Sequence, residues 1–271
     1  MPELPEVETS RRGIEPHLKG QRISGVVIRQ ARLRWPIPDQ LATVLKGRKV
    51  LSVDRRGKYL LIRFHHGTLL IHLGMSGSLR ILDQQTTAGK HDHFDLLLSS
   101  GKALRLRDPR RFGAVLWANA SPQEHPLIAC LGPEPLEASF NAAYLHAQGS
   151  RRRVAIKNLI MDSKILVGVG NIYASESLFR ARIHPQRTSN RISIQRYAGL
   201  VESIREVLTK AIAVGGTTLR DFQREDGSPG YFAQELQVYG RTGEPCPACG
   251  EPIHNRTIGQ RSSFFCPRCQ R

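Results

Sequence analysis

The sequence predicts a multidomain α+β protein. It would comprise an N-terminal antiparallel β-sandwich or barrel led by one helix, a helical middle and a C-terminal four-cysteine zinc ribbon. Three observations carry this. Short β-branched runs punctuated by Gly, Asp, Pro and Ser fill positions 23–117. The apolar period becomes helical after a proline-rich break at 119–135. Two Cys-x-x-Cys pairs close the chain. At 271 residues, 40% of them hydrophobic, the chain can bury more than one core. The divisions expected are 1–132, 133–236 and 237–271.

The opening Met-Pro-Glu-Leu-Pro-Glu-Val-Glu predicts a helix from Pro2 to about Leu18, ending near Gly20. Early proline and first-turn glutamates suit the unpaired N–H groups and the dipole of a helix start. A chemical reading stands beside this one. A small second residue permits removal of Met1, which would leave Pro2 as a secondary amine. An α-amino group titrates at about 7.7–8.0, so a useful fraction is neutral and nucleophilic near neutral pH. Glu3 beside it is a candidate acid or base. Taken alone, the stretch is better explained as a plain helix start.

Strands are expected at Ile23–Ile28, Val50–Val53, Tyr59–Phe64, Thr68–Leu73, Phe94–Leu98, Ala103–Leu106 and Ala114–Trp117, with a short helix at Leu41–Leu45. Three loops among them carry unusual chemistry. Arg55-Arg56-Gly57-Lys58-Tyr59 puts three cations at the mouth of a strand, as a phosphate site or a solvated turn. Glycines bracket Met75 in Leu73–Ser78, which either projects as a wedge between bases or folds back on the core. These residues alone favour the fold-back. In Arg105–Gly113, four arginines surround a turn that ends in Phe112, a pattern that holds nucleic acid through phosphates and stacking. His91-Asp92-His93 has no third ligand nearby and reads as a polar loop, with one histidine able to reach a phosphate.

Beyond the break, Phe140–Gln148 predicts one helix and the basic Arg151–Lys157 starts another that ends near Met161. Gly168-Val169-Gly170-Asn171 is not a dinucleotide fingerprint, because no βαβ unit surrounds it and the third glycine is missing. It reads instead as a glycine turn opening a helix, with Asn171 as cap or direct donor to a phosphate. Tyr197, Leu200, Val201, Ile204, Leu208, Ala211 and Ile212 mark Ser193–Val214 as a core helix. The polar, glycine-containing Thr217–Tyr231 reads as a lid or binding loop, or as plain surface.

Cys246, Cys249, Cys266 and Cys269 form two pairs sixteen residues apart, the spacing of a four-cysteine zinc site. Four thiolates leave no open position, so one zinc ion would be structural. Arg256, Gln260 and Arg261 fall at the tip of the intervening hairpin. Cys130 is expected to be a small buried residue. The net charge of +17 implies a polyanionic partner, most often nucleic acid. No apolar run is long enough to span a membrane, and the charged opening residues do not read as a secretory leader.

Together these segments closely resemble the bacterial formamidopyrimidine-DNA glycosylase family over the whole chain. The resemblance rests on Pro2–Glu8, Gly57-Lys58-Tyr59, His72–Gly77, Asp108–Gly113, Gly168–Ala174 and the zinc ribbon. It implies an N-terminal β-sandwich, a helix–two-turn–helix domain and a ribbon. It implies a bifunctional repair enzyme that excises 8-oxoguanine and formamidopyrimidines from duplex DNA and then cuts the strand at the abasic site. By that likeness Pro2 is the nucleophile, Glu3 the acid that helps open the sugar ring, Lys58 an acid in β-elimination and Arg261 one in δ-elimination. His91, Arg110, Arg152, Asn171 and Lys157 would contact the DNA backbone. Met75, Arg110 and Phe112 would fill the gap left by a flipped nucleotide, and Thr217–Tyr231 would close over it. A cytoplasmic monomer is expected. Two other readings compete: an endonuclease VIII-like glycosylase for oxidised pyrimidines, against which Leu4 argues, and a noncatalytic zinc-ribbon DNA-binding protein.

Overall fold

The structure is a computed structural model that describes residues 2–119, 121–215 and 236–271. Thr217–Tyr231 lies outside the described residues. Those described divide into two compact units, one running up to residue 129, the other built from 130–213 and 236–271.

Two four-stranded antiparallel sheets form the first unit. The strands are β1 (Ile23–Ile28), β2 (Ser52–Arg56), β3 (Tyr59–Phe64), β4 (Gly67–His72), β5 (Ser78–Asp83), β6 (Asp92–Leu98), β7 (Lys102–Arg107) and β8 (Ala114–Ala118). Their orders are β1-β6-β7-β5 and β2-β3-β4-β8. Leu60, Ile62, Leu69 and Ile71 of one sheet share a core with Phe94, Leu96, Leu104 and Leu106 of the other, so the unit is a sandwich. Helix α1 (Leu4–Leu18) adds Val7, Ile14 and Leu18 to that core, and α2 (Leu41–Leu45) adds both its ends. Strand β5 was not expected from the sequence. Its Ser-Leu-Arg-Ile-Leu-Asp follows a glycine–serine loop that reads as punctuation, and pairing with β7 supplies what local propensity does not.

Helix α1 begins at Leu4, so Pro2 and Glu3 precede it instead of lying within it. Glu3 is the N-cap, and its backbone N–H donates to the Glu6 carboxylate at 2.9 Å. Further along, Glu8 accepts from Arg11, Arg12 and, at 3.2 Å, from Arg55 of β2. Burial raises the Glu8 pKa, but these guanidiniums outweigh it and hold the carboxyl below its usual range.

Arg105 departs from the sequence expectation of a DNA-facing arginine. It is 2% exposed and meets Asp95 through two hydrogen bonds of 2.9 Å. Its remaining donors reach the carbonyls of Thr86 and Thr87, and Arg29 closes on Asp95 from the other side at 2.6 Å. Alternation along β7 sends Leu104 and Leu106 into the core and Arg105 to the other face of the sheet, where Asp95 and the Thr86–Thr87 backbone bury it. Arg105→Ala is expected to destabilise the first unit by about 3–5 kcal/mol, since it leaves Asp95 underpaired in the interior. Urea unfolding would measure this, while the salt dependence of DNA binding in the folded fraction should keep its slope.

The short α3 (Pro126–Ala129) ends the first stretch of unit one; the second unit contains α4 (Ala142–Ser150), α5 (Ile156–Met161), α6 (Asn171–Arg180) and α7 (Ile194–Ala213), followed by the hairpin β9 (His254–Ile258) and β10 (Arg261–Phe265). Asn141 caps α4 by accepting from Tyr144 N–H at 3.0 Å. Arg151–Arg153 lie outside any helix, because the chain turns at Arg151 before α5 starts. The ribbon packs on α6 through Phe179, Val238, Ile253 and the cysteines. Cys130 is exposed, contrary to expectation. It falls where the chain leaves one unit for the other and has no core to enter. No described helix is long and apolar enough to cross a membrane.

Candidate functional site

In the first unit, Pro2 and Glu3 are both buried, Glu3 at 1% exposure. Helix α1 lies against β2 and β3, and the Glu8–Arg55 pair fastens its first turns to that hairpin. The hairpin turn is Gly57-Lys58, with Gly57 at φ +56° and its carbonyl held by Arg55 at 2.9 Å. Lys58 is half-buried there. The backbone nitrogen of residue 2 lies just ahead of the N-terminal end of α1.

Next to this turn lies His72, which sequence reasoning passed over except as a motif member. Its ring packs at a tilt against Tyr59, centroids 4.8 Å apart, and its Nδ1 accepts from Gly74 N–H at 3.0 Å, so the neutral ring carries its proton on Nε2. Burial, aided by the charges of Lys58 and Arg34, lowers its pKa from 6.5 to about 4. The folded state therefore resists a proton that the unfolded chain accepts. Stability from this site is full above pH 6.5 and falls as pH drops toward 4, by up to about 3 kcal/mol. Urea titrations at pH 7.5 and 4.5 should show a smaller acid loss for His72→Gln than for the wild type.

Two loops of the sandwich bring the wedge candidates together. Met75 is half-buried, Arg110 exposed and Phe112 45% exposed. The Arg110 guanidinium lies over the Phe112 ring at 5.0 Å. Gly74 at φ +64° fits only as glycine, since a Cβ would run into the Phe112–Gly113 backbone. His91 and His93 begin at the same place, 6.4 Å apart ring to ring. His93 is buried and hydrogen-bonds the Asp108 carbonyl, leaving the half-buried His91 as the outer of the two.

In the second unit the ribbon hairpin meets the starts of α5 and α6. Gly259 and Gln260 both have positive φ, the two-residue turn that twists with its strands. Asn171 is the first residue of α6; Gly170 occupies the cap position. The Asn171 Nδ2 donates to Ser262 O at 3.0 Å, which sets it beside the exposed Arg261, and its Oδ1 is buried without a hydrogen-bond partner. Lys157 is fully buried, with Nζ donating to Ser262 O at 3.0 Å and Ser263 Oγ at 2.7 Å. An open position was expected for a backbone contact; here the ammonium braces the ribbon against α5. Arg152 is exposed and folds back onto Gln148. Glu176 was also missed. Its carboxylate accepts from the N–H groups of Gln237, Val238 and Tyr239 at 2.8–3.0 Å, while burial keeps its pKa raised.

Sγ atoms of Cys246, Cys249, Cys266 and Cys269 lie within 4.8 Å of one another, with two pairs at 4.0 and 3.5 Å. A tetrahedron with Zn–S of about 2.3 Å needs sulfurs about 3.8 Å apart, so the donors fit one zinc ion and no open coordination position remains. Among the described residues no other group of His, Cys, Asp and Glu could hold a metal.

Residues 1–115 match the family described as formamidopyrimidine-DNA glycosylase N-terminal domain. Residues 131–223 match its H2TH domain, and 243–271 match a zinc finger found in FPG and IleRS. The chain is 59% identical to the formamidopyrimidine-DNA glycosylase of Syntrophotalea carbinolica, over 100% of both chains. It superposes on the Lactococcus lactis Fpg complex with an abasic site containing DNA at a TM-score of 0.92, with 34% identity and 99% of each chain covered. On the Lactococcus lactis complex with FAPY-dG containing DNA the TM-score is 0.91, with 33% identity and coverage of 99% and 100%. With its sandwich, its helical unit and its four-cysteine ribbon all accounted for, this chain belongs to the formamidopyrimidine-DNA glycosylase family.

Proposed function

We propose that the protein is a bifunctional DNA glycosylase and abasic-site lyase that excises oxidised purines, 8-oxoguanine and formamidopyrimidines, from duplex DNA. The observation that carries this reading is the burial of Pro2 and Glu3 immediately ahead of α1, within a chain of this family. Removal of Met1 frees the Pro2 nitrogen. It attacks C1′ of the damaged nucleotide, the glycosidic bond breaks, and Glu3 supplies the proton that opens the sugar ring. The resulting iminium acidifies the C2′ proton. Its loss expels the 3′-phosphate, with Lys58 as acid, and a second elimination expels the 5′-phosphate, with Arg261 as acid.

His91, Arg110, Arg152 and Asn171 hold the DNA backbone. Lys157 takes part through the ribbon it braces. Met75, Arg110 and Phe112 fill the space of the extruded nucleotide, whose unstacking such chemistry requires. Residues 1–132 serve as the catalytic domain, 133–236 as the DNA-binding helical domain and 237–271 as the ribbon, in a monomer acting in the cytoplasm. The charge of +17 supports a duplex partner.

Matched duplexes with 8-oxoguanine opposite cytosine, or with thymine glycol, test the specificity. Excision and strand cleavage are expected on the first at much higher kcat/KM. Preference for thymine glycol would establish the endonuclease VIII-like reading, and binding without cleavage of either would establish the noncatalytic one.

A further inference from the structure

We propose that Asp108 and Ser76 form a clasp that sets Met75, His91, Arg110 and Phe112 as one preorganised edge, making them positioning residues for nucleotide extrusion. This rests on the proposed function and goes beyond it, because neither side chain reaches outward. Asp108 is 0% exposed and Ser76 8% exposed.

Every polar group of Asp108 is hydrogen-bonded, some within its own turn and some to segments distant in sequence. Its Oδ1 accepts from Ser76 Oγ at 2.9 Å, and its Oδ2 from Gly113 N–H at 2.7 Å. Its own N–H donates to the His91 carbonyl at 2.9 Å, and its carbonyl accepts from Arg111 N–H at 3.2 Å and meets His93 Nε2 at 3.0 Å. Ser76 Oγ in turn accepts from Arg110 N–H at 3.2 Å. The 73–77 loop is closed separately by Gly77 N–H to Leu73 O at 2.8 Å. Asp108 thus ties the Met75 loop to the 108–113 turn through its carboxylate, and both to the start of β6 through its backbone.

The outward residues have little holding them otherwise. Phe112 and Arg110 are exposed, and Arg111 between them sits at φ +55°, a left-handed conformation that a non-glycine side chain keeps only when its surroundings impose it. A wedge that must unstack bases loses force if its own loop has to be ordered at the same moment. Hydrogen bonds from a buried carboxylate to backbone N–H groups are of the strong, charge-assisted kind suited to this role.

Ser76→Ala and Asp108→Ala test the clasp, and Asp108→Asn is the conservative variant, since its amide can still accept from Gly113 and donate to Ser76. Zinc content and thermal unfolding establish that each variant is folded. Three readouts follow. Hydrogen exchange at the Arg110 and Gly113 amides should accelerate in free Ser76→Ala. The fluorescence rise of 2-aminopurine placed beside 8-oxoguanine should shrink, and kcat/KM on the duplex should fall about tenfold or more, as displacement of positioning groups does. Borohydride trapping on an abasic site in single-stranded DNA, which has no stack to open, should stay within about twofold of wild type. Asp108→Asn should recover most of the fluorescence signal. The clasp is refuted if folded Ser76→Ala keeps wild-type exchange, fluorescence and duplex turnover, or if it loses single-stranded trapping as much as duplex excision. Wild-type excision and trapping in the same assays test the functional reading separately.

Discussion

Chelation of zinc, or Cys246→Ser, is expected to lower affinity for duplex DNA by about a hundredfold or more at moderate salt. The ribbon has almost no core of its own. Apart from its cysteines, its buried apolar residues are few, Val238 and Ile253 among them, and its hairpin is two-stranded. A lone hairpin of that kind is marginal in water, whereas a four-thiolate zinc site contributes about 10–16 kcal/mol to folding. Metal loss therefore unfolds the hairpin. With it go the Ser262 and Ser263 partners of the buried Lys157 ammonium and the Ser262 partner of Asn171. The loss of these two hydrogen bonds at a buried ammonium loosens α5 as well. Fluorescence anisotropy after metal analysis measures the effect. Undiminished affinity in verified zinc-free protein would contradict it.

The second large effect concerns the amine. A chain that keeps Met1, or one acetylated at Pro2, should lose base excision and strand cleavage by more than about a thousandfold while binding abasic-site DNA as before. An amide nitrogen at residue 2 is neither basic nor nucleophilic. The separation of binding from chemistry matters here. The groups expected to hold phosphates, His91, Arg110, Arg152 and Asn171, lie elsewhere in the chain, so blocking residue 2 should leave the salt slope of binding intact. Equal loss of affinity would mean that the N-terminus serves binding and not catalysis.

Much of this architecture is legible in the residues, and the exceptions share a physical reason. Helix α2 falls at Leu41–Leu45 as expected, and α7 within one residue of its expected ends, because their apolar period needs no distant partner. The zinc ribbon is legible for the same reason: two knuckles are local features. What depends on a distant partner is not. Arg105 reads as a DNA contact until Asp95, on the next strand, shows it to be interior. Strand β5 exists through its pairing with β7. His72 looks like an ordinary strand end until Lys58 and Arg34 are brought beside it. Asp108 looks like a turn residue until its carboxylate is found holding a loop 32 positions away. In the candidate site, the residue types alone favoured a helix start at Pro2 and Glu3 and a folded-back Met75; the family resemblance carried by the motifs together pointed to catalysis and a wedge, while the groups that hold these residues in place appear only in three dimensions.

In the proposed reaction the nitrogen of residue 2 forms the covalent bond to DNA. Borohydride reduction of the protein with an abasic-site duplex, followed by proteolysis and mass spectrometry of the cross-linked peptide, tests it most directly. A stable adduct is expected on the peptide that begins at Pro2, at its α-nitrogen. An adduct carried by Lys58 or any other lysine, or no adduct from protein that nevertheless cleaves the strand, would contradict it.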